Sequence, residues 1–155
     1  MTKRKKIGIL LGLFLISVLH SASYTDRIAV KADEAWPAVL QVLQPYGIQK
    51  QKPMTEAQTN WIEDEVKRSR GVLKKFFSAN YSRRYRIDVA LAEDLYETDI
   101  RIRGVFQERS ADAAMGPWRP TKMQRQDYEV EHEFFNKILH QIEANRTLKK
   151  EGKII

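Results

Sequence analysis

Two neighbouring segments alternate between apolar and polar residues, and this alternation constrains the fold more than any other feature of the chain. They read RRYRIDVALAED (residues 83–94) and ETDIRIRGVFQERS (97–110). The apolar positions are Tyr85, Ile87, Val89 and Leu91 in the first segment and Ile100, Ile102 and Phe106 in the second. Successive side chains of a strand point to opposite faces, so each segment predicts a strand with one apolar face. The short link EDLYE (93–97) predicts that the two strands form an antiparallel hairpin.

Two amphipathic helices are available to cover that apolar face. The first is predicted in DEAWPAVLQVLQPYG (33–47), with Asp33 as its cap, Pro37 near its first turn and an apolar face that includes Trp36 and Leu43. The second is predicted from about Asp127 to Asn145. Further strands are expected at 26–31, weakly after Gly47, and at 59–66.

The predicted fold class is therefore α+β. An antiparallel sheet carries two helices on one face, in the order β-α-β-β-β-β-α, which is a helix-grip-like arrangement. A single domain is expected over residues 24–149. The end of the chain, RTLKKEGKII (146–155), is expected to fray, with 150–155 as a flexible tail.

The N-terminal segment has the three parts of a secretory signal peptide. MTKRKK is basic, Ile7–Leu19 is uncharged and apolar, and HSAS supplies small residues for cleavage, which predicts a signal peptide over 1–23 and a periplasmic location. Thirteen helical residues span roughly 20 Å, short of a bilayer core of roughly 30 Å. Whether the segment is cleaved or retained as an anchor stays open. Since the chain has no cysteine, we do not expect a cysteine-anchored lipoprotein.

The charge balance argues against a nucleic-acid partner. The whole chain carries +7, but four of its 27 basic residues and none of its 20 acidic residues lie in the basic N-terminal segment. The remainder has 23 basic and 20 acidic residues, a net charge of +3, which is too small for a strong phosphate-binding footprint. The sequence also lacks a P-loop, a G-x-G-x-x-G and a G-x-S-x-G motif, so we expect neither an enzyme nor a cofactor.

Three groups of residues are candidates for contact with a partner. Arg84, Arg86, Arg101 and Arg103 are predicted to share the polar face of the hairpin, as a basic surface or as an ordinary solvated face. Trp118 and Arg119 lie in a Gly/Pro-rich loop, where Trp118 is either a plug over the sheet or an interface anchor. Lys74, Lys75, Phe76 and Phe77 are a candidate contact with a partner or a membrane surface, or a hairpin tip folded back onto the sheet. Trp61 is expected to pack in the core.

The order of elements resembles that of the BamC-type proteins of the outer-membrane β-barrel assembly machinery. The matching segments span residues 26–145 and are AWPAVLQVLQPYGI, TNWI, RRYRIDV, ETDIRIRG and DYEVEHEFFNKILHQIE. The resemblance implies a helix-grip fold and a non-enzymatic periplasmic protein that works through protein contacts at the outer membrane. It brings no catalytic residues.

We therefore expect an exported interaction module whose partners are envelope proteins, with barrel-assembly components implied by the resemblance. The alternative is a periplasmic carrier that holds a lipid or another small apolar ligand between sheet and helix.

Overall fold

A computed structural model of the chain describes residues 23–64, 81–110, 116–121 and 125–152. The predicted signal peptide lies outside the described residues except for Ser23, and so do Lys74, Lys75, Phe76 and Phe77. The last three residues, 153–155, are outside them as well.

The described elements confirm the predicted α+β class. Seven antiparallel strands and two helices are present among the described residues, with a 3-10 turn at Gln44–Tyr46 after the first helix. They are β1 Tyr24–Ile28, α1 Ala32–Leu43, β2 Ile48–Lys52, β3 Glu56–Thr59, β4 Ile62–Asp64, β5 Tyr81–Asp94, β6 Glu97–Ser110, β7 Arg119–Pro120 and α2 Arg125–Lys150. The strand predicted over 59–66 is divided into β3 and β4, and β7 was not predicted.

The sheet is built around the β5–β6 hairpin. The strand order is β1-β6-β5-β3-β2, with β4 beside β5 and β7 beside β6. β5 and β6 pair along their whole lengths, from Tyr81 opposite Ser110 to Asp94 opposite Glu97. A two-residue turn, Leu95–Tyr96, joins them, which is tighter than the predicted five-residue link.

The two helices cover one face of this sheet, here called the inner face. α1 contacts β3, β5 and β6, while α2 contacts β1 and β6, and the helices contact each other. A layer of buried side chains lies between the sheet and the helices. Its members from the strands and α2 are Ile87, Val89, Leu91, Ile100, Ile102, Phe134, Phe135, Ile138 and Ile142. Burying each such side chain contributes about 1.5–3 kcal/mol, so this layer is the main source of stability. The opposite face is called the outer face below.

α1 begins differently from the prediction. Lys31, not Asp33, is the N-cap, and its side chain makes no hydrogen bond to the helix. The carboxylate of Glu93, at the end of β5, instead accepts the Ala32 amide proton at 3.1 Å. Pro37 is the sixth helical residue and so lies in the second turn, because the helix starts one residue before the predicted cap.

α2 is longer than predicted, since it continues to Lys150 rather than ending near Asn145. Its last turns contact α1. The Asn145 side-chain amide donates to Gln41 at 2.9 Å, and Arg146 forms an ion pair with Glu34. These contacts stabilise the end of α2, so residues 146–150 are helical instead of frayed as predicted.

A buried carboxylate on α2 joins the helix to the sheet. Glu131 is fully buried and accepts two backbone N–H groups, from Gly104 of β6 at 2.7 Å and from Tyr24 of β1 at 3.0 Å. The pKa of Glu131 is raised mainly by burial, while the two N–H donors act in the opposite direction. Because Gly104 lies just past the part of β6 that pairs with β1, Glu131 supplies the acceptor that a neighbouring strand would otherwise provide.

Candidate interaction surface

A row of alternating tryptophan and arginine side chains crosses one end of the outer face. The guanidinium carbon of Arg84 lies 4.4 Å from the ring centre of Trp61 and 4.2 Å from that of Trp118. Arg86 lies 5.1 Å from Trp61, and Arg109 lies 4.5 Å from Trp118. All four distances fall within the range of a cation–π contact. We call these five residues the Trp–Arg row.

Trp61 reaches the outer face because of an irregularity between β3 and β4. In β3, Gln58 pairs with Asp88, but in β4, Ile62 pairs with Tyr85, so the register shifts by one residue. One extra residue in a strand is a β-bulge, and relative to unbroken pairing it reverses the direction of every side chain that follows. The prediction that Trp61 packs in the core is therefore wrong: Thr59 is buried, and Trp61 lies half-buried on the outer face.

The bulge is held by hydrogen bonds on both of its sides. The Thr59 hydroxyl accepts the Ile87 amide proton at 2.9 Å, and the Asn60 amide donates to the Gly47 carbonyl at 2.9 Å. Gly47 has a φ of +72°, and a Cβ at this position would overlap the Asn60 side chain. The positive φ favours glycine here, and a Cβ would in addition force the Asn60 side-chain amide to move.

The short strand β7 positions Trp118. It pairs with β6 on the same edge as β1 does, farther along the strand. Pro120 pairs with Gln107 and Arg119 pairs with Glu108. Trp118 is half-buried over Arg84 and Arg109, so it covers the sheet and at the same time presents part of its ring to solvent. Arg119 is exposed, and the cations that contact Trp118 are Arg84 and Arg109 of the sheet.

Arg84 is hydrogen-bonded to an amide rather than paired with a carboxylate. Its Nε and Nη2 donate to the Gln107 side-chain oxygen at 2.9 and 2.7 Å, and no carboxylate of the described residues forms an ion pair with it. Burial lowers the pKa of Arg84, the nearby charge of Arg109 lowers it further, and Glu63 acts in the opposite direction. A guanidinium stays protonated at neutral pH regardless. The site therefore holds a partly desolvated positive charge that an incoming anion would stabilise.

Arg101 and Arg103 lie farther along the outer face, beside a shallow groove of about 360 Å³. The groove is lined by Ser23, Lys50, Glu56, Ala57, Gln58, Asp88, Val89, Ala90, Arg101 and Arg103. Asp88 partly neutralises the arginines around it, because it accepts from Arg103 and Gln58, both at 2.7 Å, and lies 3.4 Å from Arg86. This end of the outer face is thus of mixed charge, while the Trp–Arg row is the basic and aromatic end.

The predicted residues are brought together only in part. Arg84, Arg86, Arg101 and Arg103 share the outer face. Of these four, Arg84 contacts Trp118, and no contact of Arg119 with the row is found among the described residues. Arg109, Gln107 and Trp61 were missed as members of this surface. The alternation of β6 signals the first two, since residues 101, 103, 105, 107 and 109 all fall on the outer face. No comparable signal marks Trp61, because its direction depends on the bulge.

The composition of the Trp–Arg row is typical of a recognition surface. Tryptophan and arginine are the side chains most enriched at the energetic centres of protein interfaces. In the part of the chain that the structure describes, no three His, Cys, Asp or Glu side chains are grouped so as to hold a metal ion. Within that same part, neither helix combines the length and the apolarity needed to cross a membrane.

Comparison with known protein sequences identifies no relative. No protein-family model matches the chain. No curated protein matches it either.

Proposed function

We propose that this chain is an exported, non-enzymatic protein of the bacterial cell envelope, and that it acts as a protein-interaction module. Its docking surface is the outer face of the sheet, centred on the Trp–Arg row. By the resemblance to BamC-type proteins, the process it serves is outer-membrane protein assembly or envelope maintenance. Its partner presents an acidic segment.

The observation that carries this proposal is the position of Arg84 between two indole rings. Trp61 approaches from the β4 side and Trp118 from the β7 side, and among the described residues the guanidinium between them donates its hydrogen bonds to the amide oxygen of Gln107. A carboxylate from a partner would replace the hydration that burial has removed from this charge. The indole surfaces would bury apolar area around it.

The carrier alternative receives less support from the packing. A lipid between sheet and helices needs an apolar cavity of about 300 Å³ or more. The inner face is instead filled by side chains that are almost wholly inaccessible, including Ile87, Ile100, Ile102 and Ile138 at 0% exposure. The groove of about 360 Å³ lies on the outer face and is lined mainly by polar residues. We therefore favour the interaction module.

Site-specific photo-crosslinking tests the docking surface. p-Benzoylphenylalanine replaces Arg119, which is exposed beside Trp118, in the full chain produced in bacteria; the matched control carries it at His140, exposed on α2. We expect a discrete protein adduct from position 119 and none from position 140. Identification of an assembly component by mass spectrometry would support the resemblance. Adducts of lipid alone would favour the carrier, and equal adducts from both positions would refute the surface.

An isosteric variant tests the chemistry of the site. Gln107→Glu places a carboxylate where the amide oxygen already accepts from Arg84. If the partner supplies an anion, this internal carboxylate replaces it and the adduct from position 119 disappears. A control, Gln141→Glu on α2, is equally conservative and should leave the adduct unchanged. Persistence of the adduct in Gln107→Glu would exclude an anionic group at Arg84.

Export is tested separately. Residues 1–35 are fused to a reporter enzyme that is active only outside the cytosol. Activity is expected, and it should be lost in the variant Leu13→Arg, because a charge interrupts the apolar run of the signal. An inactive fusion of the parent sequence would contradict the predicted location.

A further inference from the structure

A second exposed surface lies at the end of the sheet remote from the Trp–Arg row. The turn between β2 and β3 and the tip of the β5–β6 hairpin lie at the same end, because the Leu91 amide donates to the Thr55 carbonyl at 2.8 Å. The hairpin continues to Asp94 before it turns. The exposed apolar residues there are Met54, Leu95 and Tyr96, with 51%, 81% and 76% of their surface accessible. We call these three residues the turn surface.

Both turns place an apolar residue where the backbone favours glycine or asparagine. Met54 has a φ of +57° and Leu95 a φ of +49°, and they are the two non-glycine residues with positive φ in the described chain. The Thr55 amide donates to the Lys52 carbonyl, so Pro53 and Met54 form the centre of a turn that ordinarily reads Pro-Gly. In the two-residue loop of the hairpin, Leu95 has a positive φ and Tyr96 does not, which is the pattern of a type II′ turn with glycine at its first position.

Met54 and Leu95 therefore carry two free-energy costs in the isolated protein. A left-handed backbone is strained for a leucine or a methionine, and exposure of a large apolar side chain gains nothing from folding. Both costs fall on the same two turns, which are remote from the core. Strained backbone positions cluster at binding sites, and neighbouring exposed apolar side chains are typical of an interaction surface.

The charge around the hairpin tip indicates what that molecule is. Four carboxylates surround the tip, on Glu93, Asp94, Glu97 and Asp99, and Arg27 faces three of them. Arg27 lies 2.6 Å from Asp99 and 3.5 Å from Glu97. The tip is thus net negative, which opposes contact with an anionic lipid surface and favours a basic one.

We propose that the turn surface is a second docking site, for a protein that presents an apolar pocket rimmed by lysine or arginine side chains. Leu95 and Tyr96 enter the pocket, Met54 contacts its edge, and the carboxylates beside the tip face its basic rim. The site is distinct from the Trp–Arg row, which lies about ten residues away along β5, or roughly 33 Å at the rise of a strand. The chain would then hold two different proteins at opposite ends of one hairpin.

Photo-crosslinking in intact cells tests the site. p-Benzoylphenylalanine replaces Tyr96 in the full chain, and the same group at His140 is the control. We expect a protein adduct from position 96 alone, with the crosslinked peptide of the captured protein apolar and flanked by lysine or arginine. An adduct with lipid, an adduct with a second copy of this chain, or the absence of an adduct would each overturn the proposal.

A variant that improves the turns separates binding from folding. Met54→Gly together with Leu95→Gly and Tyr96→Asn gives both turns their preferred residues and removes the apolar surface. Its melting temperature should equal or exceed that of the parent. Its affinity for the purified captured protein should fall about tenfold or more, because the anchoring side chains are lost. Unchanged affinity would overturn the proposal. Loss of this contact with retention of the adduct from position 119 would show that the two surfaces act independently.

Discussion

Arg83 and Arg84 are adjacent in the chain, lie on opposite faces of the same strand and have opposite electrostatic surroundings. Arg83 points to the inner face, where it is 4% exposed, stacks on Phe106 at 4.6 Å and lies 2.5 Å from Asp127 of α2. Arg84 points to the outer face and contacts two indoles and an amide. The protein supplies a counter-charge for the first arginine, whereas none of the described carboxylates forms an ion pair with the second.

The inner pair is an electrostatic contact rather than an aligned hydrogen bond. The Arg83 nitrogen and the Asp127 oxygen are within ion-pair distance, but their angles do not meet hydrogen-bond geometry. Asp127 lies in the first turn of α2, where a negative charge also interacts favourably with the helix dipole. Removal of one charge from such a buried pair is costly, because the other charge stays in the interior and loses its attraction.

The largest expected effect is on the inner arginine. Arg83→Leu should lower the free energy of unfolding by about 3–5 kcal/mol, because the buried Asp127 carboxylate then loses its arginine counter-charge. Arg84→Leu, the matched control one residue away, should lower it by about 2 kcal/mol or less. Urea denaturation measures both. Equal losses would mean that the two arginines contribute alike to stability, whichever face of the sheet they occupy.

The second effect concerns the other buried carboxylate of α2. Glu131→Gln should cost about 1–3 kcal/mol, because the side-chain amide can accept only one of the two buried N–H groups well. The pKa of Glu131 is raised by burial above its usual value of 4.5. The folded state therefore binds the proton of this carboxyl group more tightly than the unfolded state does. The stability advantage of the parent over the variant should therefore shrink as the pH rises from 4.5 through the folded pKa.

Urea denaturation of both proteins between pH 4 and pH 8, roughly the range in which a raised carboxyl pKa titrates, measures this difference. Parallel pH profiles for the parent and Glu131→Gln would contradict the assignment.

A smaller effect is expected from the outer tryptophan. Trp118→Ala removes its contacts with Arg84 and Arg109 and should lower stability by about 0.5–1 kcal/mol, since the ring is partly exposed. The partner adduct from position 119 should nevertheless be lost. A large loss of stability would show that Trp118 acts mainly as a plug over the sheet.

The smallest change in stability is expected at Gln107. Gln107→Glu gives Arg84 an internal carboxylate, as Asp127 does for Arg83. At a half-buried position the stability should rise by only about 0–1 kcal/mol. Thermal denaturation measures the change, and a decrease would show that the desolvation of the new carboxylate outweighs its attraction to Arg84.

The parts of the fold that depend on local pattern could be predicted from the sequence. The alternation of the β5 and β6 segments indicated the hairpin and its two faces, and the spacing of apolar residues indicated both helices. The same alternation was sufficient to assign Arg84, Arg86, Arg101 and Arg103 to one face. These features are local because a strand or helix repeats its own geometry.

The parts that depend on pairing between distant segments could not be predicted. Glu93 caps α1 from a strand 61 residues away, and the end of α2 is extended by contacts with α1. The direction of Trp61 follows from the register of β3 and β4 against β5, which no local pattern reveals. The acceptor role of Glu131 likewise requires the position of Gly104, 27 residues earlier.

The bulge at Asn60 makes the outer surface depend on a glycine that is not part of it. If the register of β3 continued unbroken, Asn60 would oppose Arg86, and Trp61 would oppose Tyr85 and face the helices. Gly47 holds the bulge, because its carbonyl accepts the Asn60 amide proton and its missing side chain leaves room for Asn60. Related sequences could therefore keep all five residues of the Trp–Arg row and still lack the surface. A glycine at position 47 is the feature by which such proteins should be sorted.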